Sequence, residues 1–342
     1  MNRTVKTALI GLGHVNRSLL RILLDKEKII AREHGLHFRI VGVSDSSGIA
    51  VAESGFGYDM LLNLKLSGKS VNTLQGWIEG AGTETITDHC HPELLVEASP
   101  LNLQTGFPGL QTVKHALTAG IHVVLANKGP LVLAFDELMQ LKKEHHAGLK
   151  YSATVCGGLP VINVLTRDLR CAGFTSIQGI FNATSNFVLH ELGKGNTMEN
   201  AIAEAMRIGA AETDPTNDLS GQDTANKLFI IMKSVTDFAG HITDIETEGI
   251  QAMDQRMVAL ARQQGKAVKL IAQAKNEGGK WQLSVKPLTV PASSFLGSCN
   301  GWEMAIEVKT DLYESISMKN LEADPLGTAA AVLRDMIEVA RK

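Results

Sequence analysis

Three absences narrow what this chain of 342 residues can be. Its four cysteines, Cys90, Cys156, Cys171 and Cys299, stand far apart with no C-x-x-C pair, which argues against a disulfide framework and against a structural zinc site. A reducing compartment is the expectation. No apolar run reaches the roughly 18 residues a membrane span needs, and Met1-Asn2-Arg3-Thr4 leads into a strand rather than a signal peptide. The sequence therefore reads as cytoplasmic, with no membrane partner. It also lacks a basic block: 33 Lys and Arg against 36 Asp and Glu leave a formal charge of -3, which argues against nucleic acid as a partner. Chemistry on a small molecule is what these exclusions leave.

With 44% hydrophobic and 20% charged residues, the composition is that of a globular protein too long for one core. We expect an α/β fold: a Rossmann-type dinucleotide-binding domain over 1–150, then an α+β catalytic and dimerisation domain over 151–320. A last helix, Leu326–Arg341, would pack back on the first domain.

The first domain is read from its rhythm. Strand Val5–Ile10, the turn GLGHVN and a helix over Ser18–Ala31 form the opening unit of a dinucleotide-binding fold. Gly11 and Gly13 permit the tight turn and close approach to a pyrophosphate, which the helix N-terminus favours. Asn16 stands where a third glycine usually lets helix pack on strand. The second strand, Phe38–Ser44, delivers Asp45, either a ribose acceptor or the cap of the DSSG turn. No Lys or Arg follows in Ser46–Ala52 to grip a 2′-phosphate, so NAD is favoured over NADP.

Gly55–Gly82 reads as an extended excursion. His89 and His91 would share a strand face, a weak metal pattern because adjacent ligands diverge and no fourth is near. Strand Leu94–Ala98 ends at Ser99-Pro100, and strand His122–Ala126 delivers Asn127-Lys128-Gly129-Pro130 at the end where such sheets bind ligands. Lys128 is a site candidate or a solvated loop lysine. A helix follows over Phe135–His146.

In the second domain, CGGLP (Cys156–Pro160) follows a strand over Tyr151–Val155. Its glycine amides could hold a carbonyl or carboxylate, or simply connect. A strand over Ser176–Ala183 leads to a helix capped by Thr184 or Ser185. The densest stretch is Gly209–Lys227, GAAETDPTNDLSGQDTANK, where Glu212, Asp214, Asp218 and Asp223 surround one cation, Lys227, before an apolar segment. Asp223 and Lys227 stand four apart on one helical face, which alone fits a surface ion pair as well as a site. The DPTNDLS run is no calcium loop, since it lacks the glycine at the sixth position and has Ala225 where a bidentate Glu belongs.

Together, GLGHVN, ANKGP at Ala126–Pro130, ATVCGGLP at Ala153–Pro160 and the Gly209–Lys227 stretch resemble homoserine dehydrogenase across nearly the whole chain. The last matches every fixed position of G-x-x-E-x-D-P-x-x-D-x-x-G-x-D-x-x-x-K. The resemblance implies reversible, NAD(P)-dependent interconversion of L-homoserine and L-aspartate 4-semialdehyde in threonine and methionine biosynthesis. It implies that Asp223, Lys227 and Lys128 are catalytic, with either lysine as proton donor, and that Glu212, Asp218, Gly157 and Gly158 line the substrate. Gly11, Gly13, His14, Val15, Asp45, Ser99, Asn127 and Lys128 would face the cofactor. A sodium ion on the backbone of Val155 and Gly157 and a homodimer are further implications, with Ser152 replacing an acidic residue of some relatives. No aspartate kinase or regulatory domain is expected, nor inhibition by threonine. The alternatives are another dehydrogenase of the same architecture and a nucleotide sensor without turnover.

Overall fold

The structure, a computed structural model, describes residues 2–207, 215–322 and 324–341. The chain divides into two compact units, one of residues 1–158 with 325–342 and the other of residues 159–324.

The first unit runs β1 (Arg3–Ile10), α1 (His14–His34), β2 (Leu36–Asp45), β3 (Gly48–Phe56), α2 (Tyr58–Leu66), β4 (Trp77–Ile78), α3 (Ile86–Cys90), β5 (Leu94–Glu97), α4 (Gly109–Thr118), β6 (His122–Leu125), α5 (Gly129–Glu144) and β7 (Leu149–Lys150). The sheet order is β4-β3-β2-β1-β5-β6-β7, parallel from β2 to β7 and antiparallel at β3 and β4. Its central strands carry unbroken apolar runs, as strands covered on both faces must: Ala8–Ile10 of β1 and Leu94–Val96 of β5 are fully buried. The expected α/β dinucleotide-binding architecture is borne out.

Local expectations fared less evenly. The excursion is entered from β3, a hairpin on β2 that forms because Asp45 accepts from the Ser47 amide and Gly48 takes φ 119° to reverse the chain, and it holds α2 and β4. His89 lies in α3, not on a strand, and His91 is its left-handed C-cap, so the two share no strand face. Helix α5 starts at Gly129 because Pro130 suits a first helical turn, where its missing N–H costs nothing. The strand expected over Tyr151–Val155 is a 3-10 turn, Ser152–Thr154.

The C-terminal helix Leu326–Ala340 belongs to this unit. Val332, Met336 and Val339 share a core with Leu19, Leu20 and Leu23 of α1, and Ala329 and Ala331 keep the helix close. Its Asp335 is wholly buried and accepts from the Ser152 amide at 2.8 Å and hydroxyl at 2.7 Å. A buried acid on a helix is tolerable only with such donors.

The second unit runs α6 (Val161–Asn163), a π-helical turn (Val164–Asp168), β8 (Phe174–Ile180), α7 (Ala183–Gly193), α8 (Met198–Arg207), α9 (Thr216–Leu219), α10 (Gln222–Val235), β9 (Glu246–Thr247), α11 (Gln255–Gln263), β10 (Lys266–Glu277), β11 (Lys280–Pro291), β12 (Glu303–Thr310) and β13 (Glu314–Leu321). Its sheet is ordered β13-β12-β8-β10-β11-β9 and is antiparallel except between β11 and β9. The β10–β11 hairpin turns through Gly278 and Gly279, both at positive φ, as a two-residue turn of this hand requires. Helix α10 buries Leu228–Met232 below its polar first turn.

Replacing Asp335 with Ala leaves the buried Ser152 amide without an acceptor. The expected cost is about 1–3 kcal/mol, read as a lower thermal midpoint; an unchanged midpoint would show that Asp335 does not anchor the helix.

Candidate active site

In the first unit, the glycine-rich turn is built against the next strands. The Gly11 and Leu12 amides donate to Ser44 O at 3.1 and 3.2 Å. Gly11 has φ +78°, and a β-carbon there would lie 2.7 Å from Ala98 O, so only glycine fits. Gly13 is the N-cap of α1 and offers no side-chain acceptor, and a β-carbon on it would meet nothing within 4 Å. The first-turn amides, including those of His14 and Val15, have no intrahelical acceptor and no acidic side chain in that turn. This open, electropositive end suits an anion such as a pyrophosphate. Asn16 explains the missing third glycine: fully buried, it donates to Ile10 O at 3.1 Å and Gly11 O at 2.8 Å, fastening the turn.

Asp45 ends β2 with its carboxylate engaged by the chain itself. Oδ1 accepts from the Ser47 amide and hydroxyl, and Oδ2 from Lys65 Nζ at 2.8 Å and the Val71 amide at 3.1 Å. Burial would raise its pKa, but Lys65 and the Ser47 and Val71 donors together hold it below the usual range. Lys65 lies outside the Ser46–Ala52 window read for basic residues; only the fold of α2 brings it here.

At the ends of β5 and β6 lie Ser99, Asn127 and Lys128. Ser99 and Asn127 are buried, and Lys128 is the half-buried N-cap of α5. Asn127 Oδ1 accepts from the Gly129 amide at 2.9 Å, while its Nδ2 donates to Ser99 Oγ at 3.4 Å. Beneath them is Glu97, fully buried, whose Oε1 accepts from the Ser99 amide at 2.9 Å and from its hydroxyl. Oε2 is buried and accepts no well-formed hydrogen bond among the described residues, with the Asn127 amide beside it. Burial pushes the Glu97 carboxyl up to about 7, outweighing the Ser99 and Asn127 donors. Sequence reading missed it; the signal was an acid closing an otherwise apolar strand, LLVE.

The CGG turn is left-handed at both Cys156 and Gly157, each with φ 53°. For the buried Cys156 this is a strained conformation. Val155 before it is extended. Gly158 closes the first stretch of this unit.

The second unit gathers Asp218, Asp223 and Lys227. Lys227 Nζ sits 2.7 Å from Asp223 Oδ2 and donates to Phe181 O at 2.7 Å. Asn182 Nδ2 donates to Asp218 Oδ1 at 2.7 Å and to Asp223 Oδ2 at 2.8 Å, and its Oδ1 accepts from the Ser185 amide. Asn182, not Thr184 or Ser185, thus caps α7. The side chains of Lys227 and Asp223 are only 14% and 10% exposed, so this is no surface ion pair. Glu212 and Asp214 lie outside the described residues. The arrangement holds a cation in one place beside carboxylates, as stabilising a nascent oxyanion or passing a proton requires.

A family model, Homoserine dehydrogenase, matches residues 160–337. A homoserine dehydrogenase of Methanocaldococcus jannaschii is 33% identical over 97% of this chain and 97% of its own. An NAD(+)-dependent homoserine dehydrogenase of Pseudomonas canavaninivorans is 31% identical over 98% and 96%. The crystal structure of a homoserine dehydrogenase from Thiobacillus denitrificans superposes with a TM-score of 0.84 at 27% identity, covering 99% of this chain and 74% of that one. A hyperthermophilic archaeal homoserine dehydrogenase in complex with NADPH superposes with a TM-score of 0.83 at 27% identity, covering 99% and 98%.

The Glu97 carboxyl titrates near 7 in the folded chain and near 4.5 unfolded, so the folded state holds the proton more tightly. Its contribution to stability is complete below pH 4.5 and is lost as pH rises through 7. Glu97→Gln is therefore expected to match the parent at pH 4.5 and to exceed it by about 3 kcal/mol at pH 8, measured by urea unfolding at both pH values. A pH-independent difference would contradict the burial effect.

Proposed function

We propose how a chain that belongs to the homoserine dehydrogenase family carries out that family's reaction, the reversible NAD(P)-dependent interconversion of L-homoserine and L-aspartate 4-semialdehyde on the way to threonine and methionine. The observation that carries the reading is the buried Lys227–Asp223 pair, fastened by Asn182 and the Phe181 carbonyl within the stretch most specific to the family. The dinucleotide, when bound, supplies the hydride chemistry, and the chain's own groups do the rest.

The open end of α1, with Gly11, Gly13, His14 and Val15, takes the pyrophosphate. Ser99, Asn127 and Lys128 serve the nicotinamide half. Asp218 and Glu212 bind the substrate's amino group, and Gly157 and Gly158, at the end of the first unit's long stretch, offer main-chain contacts. Asp223 orients Lys227, whose ammonium stabilises the alkoxide formed when the aldehyde accepts hydride and then gives it a proton. In the reverse direction the amine takes the hydroxyl proton. Lys128 is the second candidate for this transfer. A cation beside Val155 and Gly157 would rest on main-chain carbonyls. A hard monovalent ion such as sodium suits that donor set.

No helix among the described residues is long and apolar enough to cross a membrane. The four cysteines, three of them buried, form no disulfide among the described residues, which suits a reducing compartment, so we place the enzyme in the cytoplasm. A homodimer is supported by the edge strand β13, flanked by exposed Leu312, Tyr313 and Leu321. For the cofactor, the ionised carboxylate at the end of β2 repels a 2′-phosphate, which favours NAD. Asp45 could serve the ribose only beside its present donors.

Lys227→Ala is expected to lower kcat by about 10²–10⁴ with little change in dinucleotide affinity, in a spectrophotometric assay of homoserine oxidation. Near-native turnover would move proton transfer to Lys128, whose alanine variant is assayed alongside. The parent should use NAD+ with about tenfold higher kcat/KM than NADP+, and Asp45→Ala should narrow that ratio by releasing Lys65. A parent preferring NADP+ would refute the charge argument.

A further inference from the structure

Among the described residues, Glu97 is the one wholly buried carboxyl at the strand ends of the first sheet to which the proposed mechanism gives no role. It sits where β5 stops, between β1 and β6. Its main-chain oxygen accepts from the Ala126 and Asn127 amides at 2.8 and 3.2 Å, closing the end of β6 onto β5. Its side chain takes both donors of Ser99, whose hydroxyl then accepts from the Asn127 carboxamide. Asn127 is locked from the other side by the Gly129 amide. Four residues thus form one hydrogen-bonded unit with Glu97 at its base, and every rotamer in it is determined. The unit is also closely packed: a β-carbon on Gly109, the first residue of α4, would fall 2.9 Å from Asn127 Nδ2 and 3.2 Å from Glu97 Cδ.

A carboxyl costs stability in such a place, and for holding two strands together the main-chain bonds would suffice. What the side chain adds is orientation of the Ser99 hydroxyl and the Asn127 carboxamide. We propose that Glu97 is a positioning residue for dinucleotide binding, acting without contacting the ligand by fixing Ser99 and Asn127 in the geometry that receives it. This rests on the cofactor role given above to Ser99 and Asn127. Preorganised donors and acceptors bind without an ordering cost, so losing the base of the unit weakens affinity even where the fold survives.

The test is NAD+ and NADH affinity by fluorescence titration, with thermal midpoints and the KM for homoserine at saturating cofactor. Glu97→Met removes the acceptor at similar length and is expected to raise the dinucleotide Kd about tenfold, leaving the homoserine KM within twofold. Glu97→Gln, which keeps an acceptor for Ser99, recovers most of the affinity. Asn127→Ala weakens binding by itself, and adding Glu97→Met weakens it no further, because both act through one group. Should Glu97→Met fail to fold, Gly109→Ala, which crowds the same unit, carries the same expectation. A folded Glu97→Met or Gly109→Ala protein with native dinucleotide affinity overturns the proposal, as do additive effects in the double variant. Unchanged binding in Asn127→Ala overturns it too, and refutes the cofactor role of Asn127 itself.

Discussion

In the second unit, a single carboxamide holds two acids within reach of one nitrogen. Asp218 and Asp223 both accept from Asn182 Nδ2, and like charges so close repel each other strongly when sheltered from water. The Lys227 ammonium and that shared amide are what allow them to coexist. The same Asn182 caps α7 through its oxygen, so the end of β8, the start of α7 and the first turn of α10 meet on one side chain. The apolar remainder of α10, Leu228–Met232, is then committed to the core, and its polar turn has only one place to go. Cation, carboxylates and hydrophobic anchor are one mechanical piece.

The first unit treats its acids in opposite ways. Asp45 is surrounded by donors and a lysine, which keep it ionised at the rim of the sheet. Glu97, on the other side of β1, has fewer donors and no cation, and burial pushes its carboxyl up to about 7. Charge is therefore held firmly on one side of β1 and less firmly on the other.

Much of this was legible in the sequence because the informative patterns were long or periodic. The α/β reading came from strand, glycine turn and helix in succession, and the family from a motif fixed at many positions. What escaped depended on contacts far apart in the chain. Lys65 reaches Asp45 only through the fold of α2, so a search of the next seven residues could not find it. Asn182 carries no motif of its own, and the Thr-Ser pair beside it looks a better cap than it proves to be. Glu97 is one acid in an apolar strand, with nothing at a set spacing to mark it. His89 and His91 misled because alternation over three residues is too short to separate strand from helix. Where the chain passes from one unit to the other, at Gly158, the turn CGGLP carried both a conformational and a chemical signal, and spacing alone could not rank them.

The first unit is assembled from both ends of the chain, with the whole second unit inserted between. Its core is completed by Val332, Met336 and Val339, which follow the second unit in the chain. A domain made of one continuous N-terminal stretch can close as it leaves the ribosome. This one must wait, with the faces of α1 and the sheet that receive the final helix still bare, while some 165 further residues emerge. The larger part of the nucleotide-binding unit thus precedes the second unit in the chain, yet that unit cannot close until the second unit has been translated.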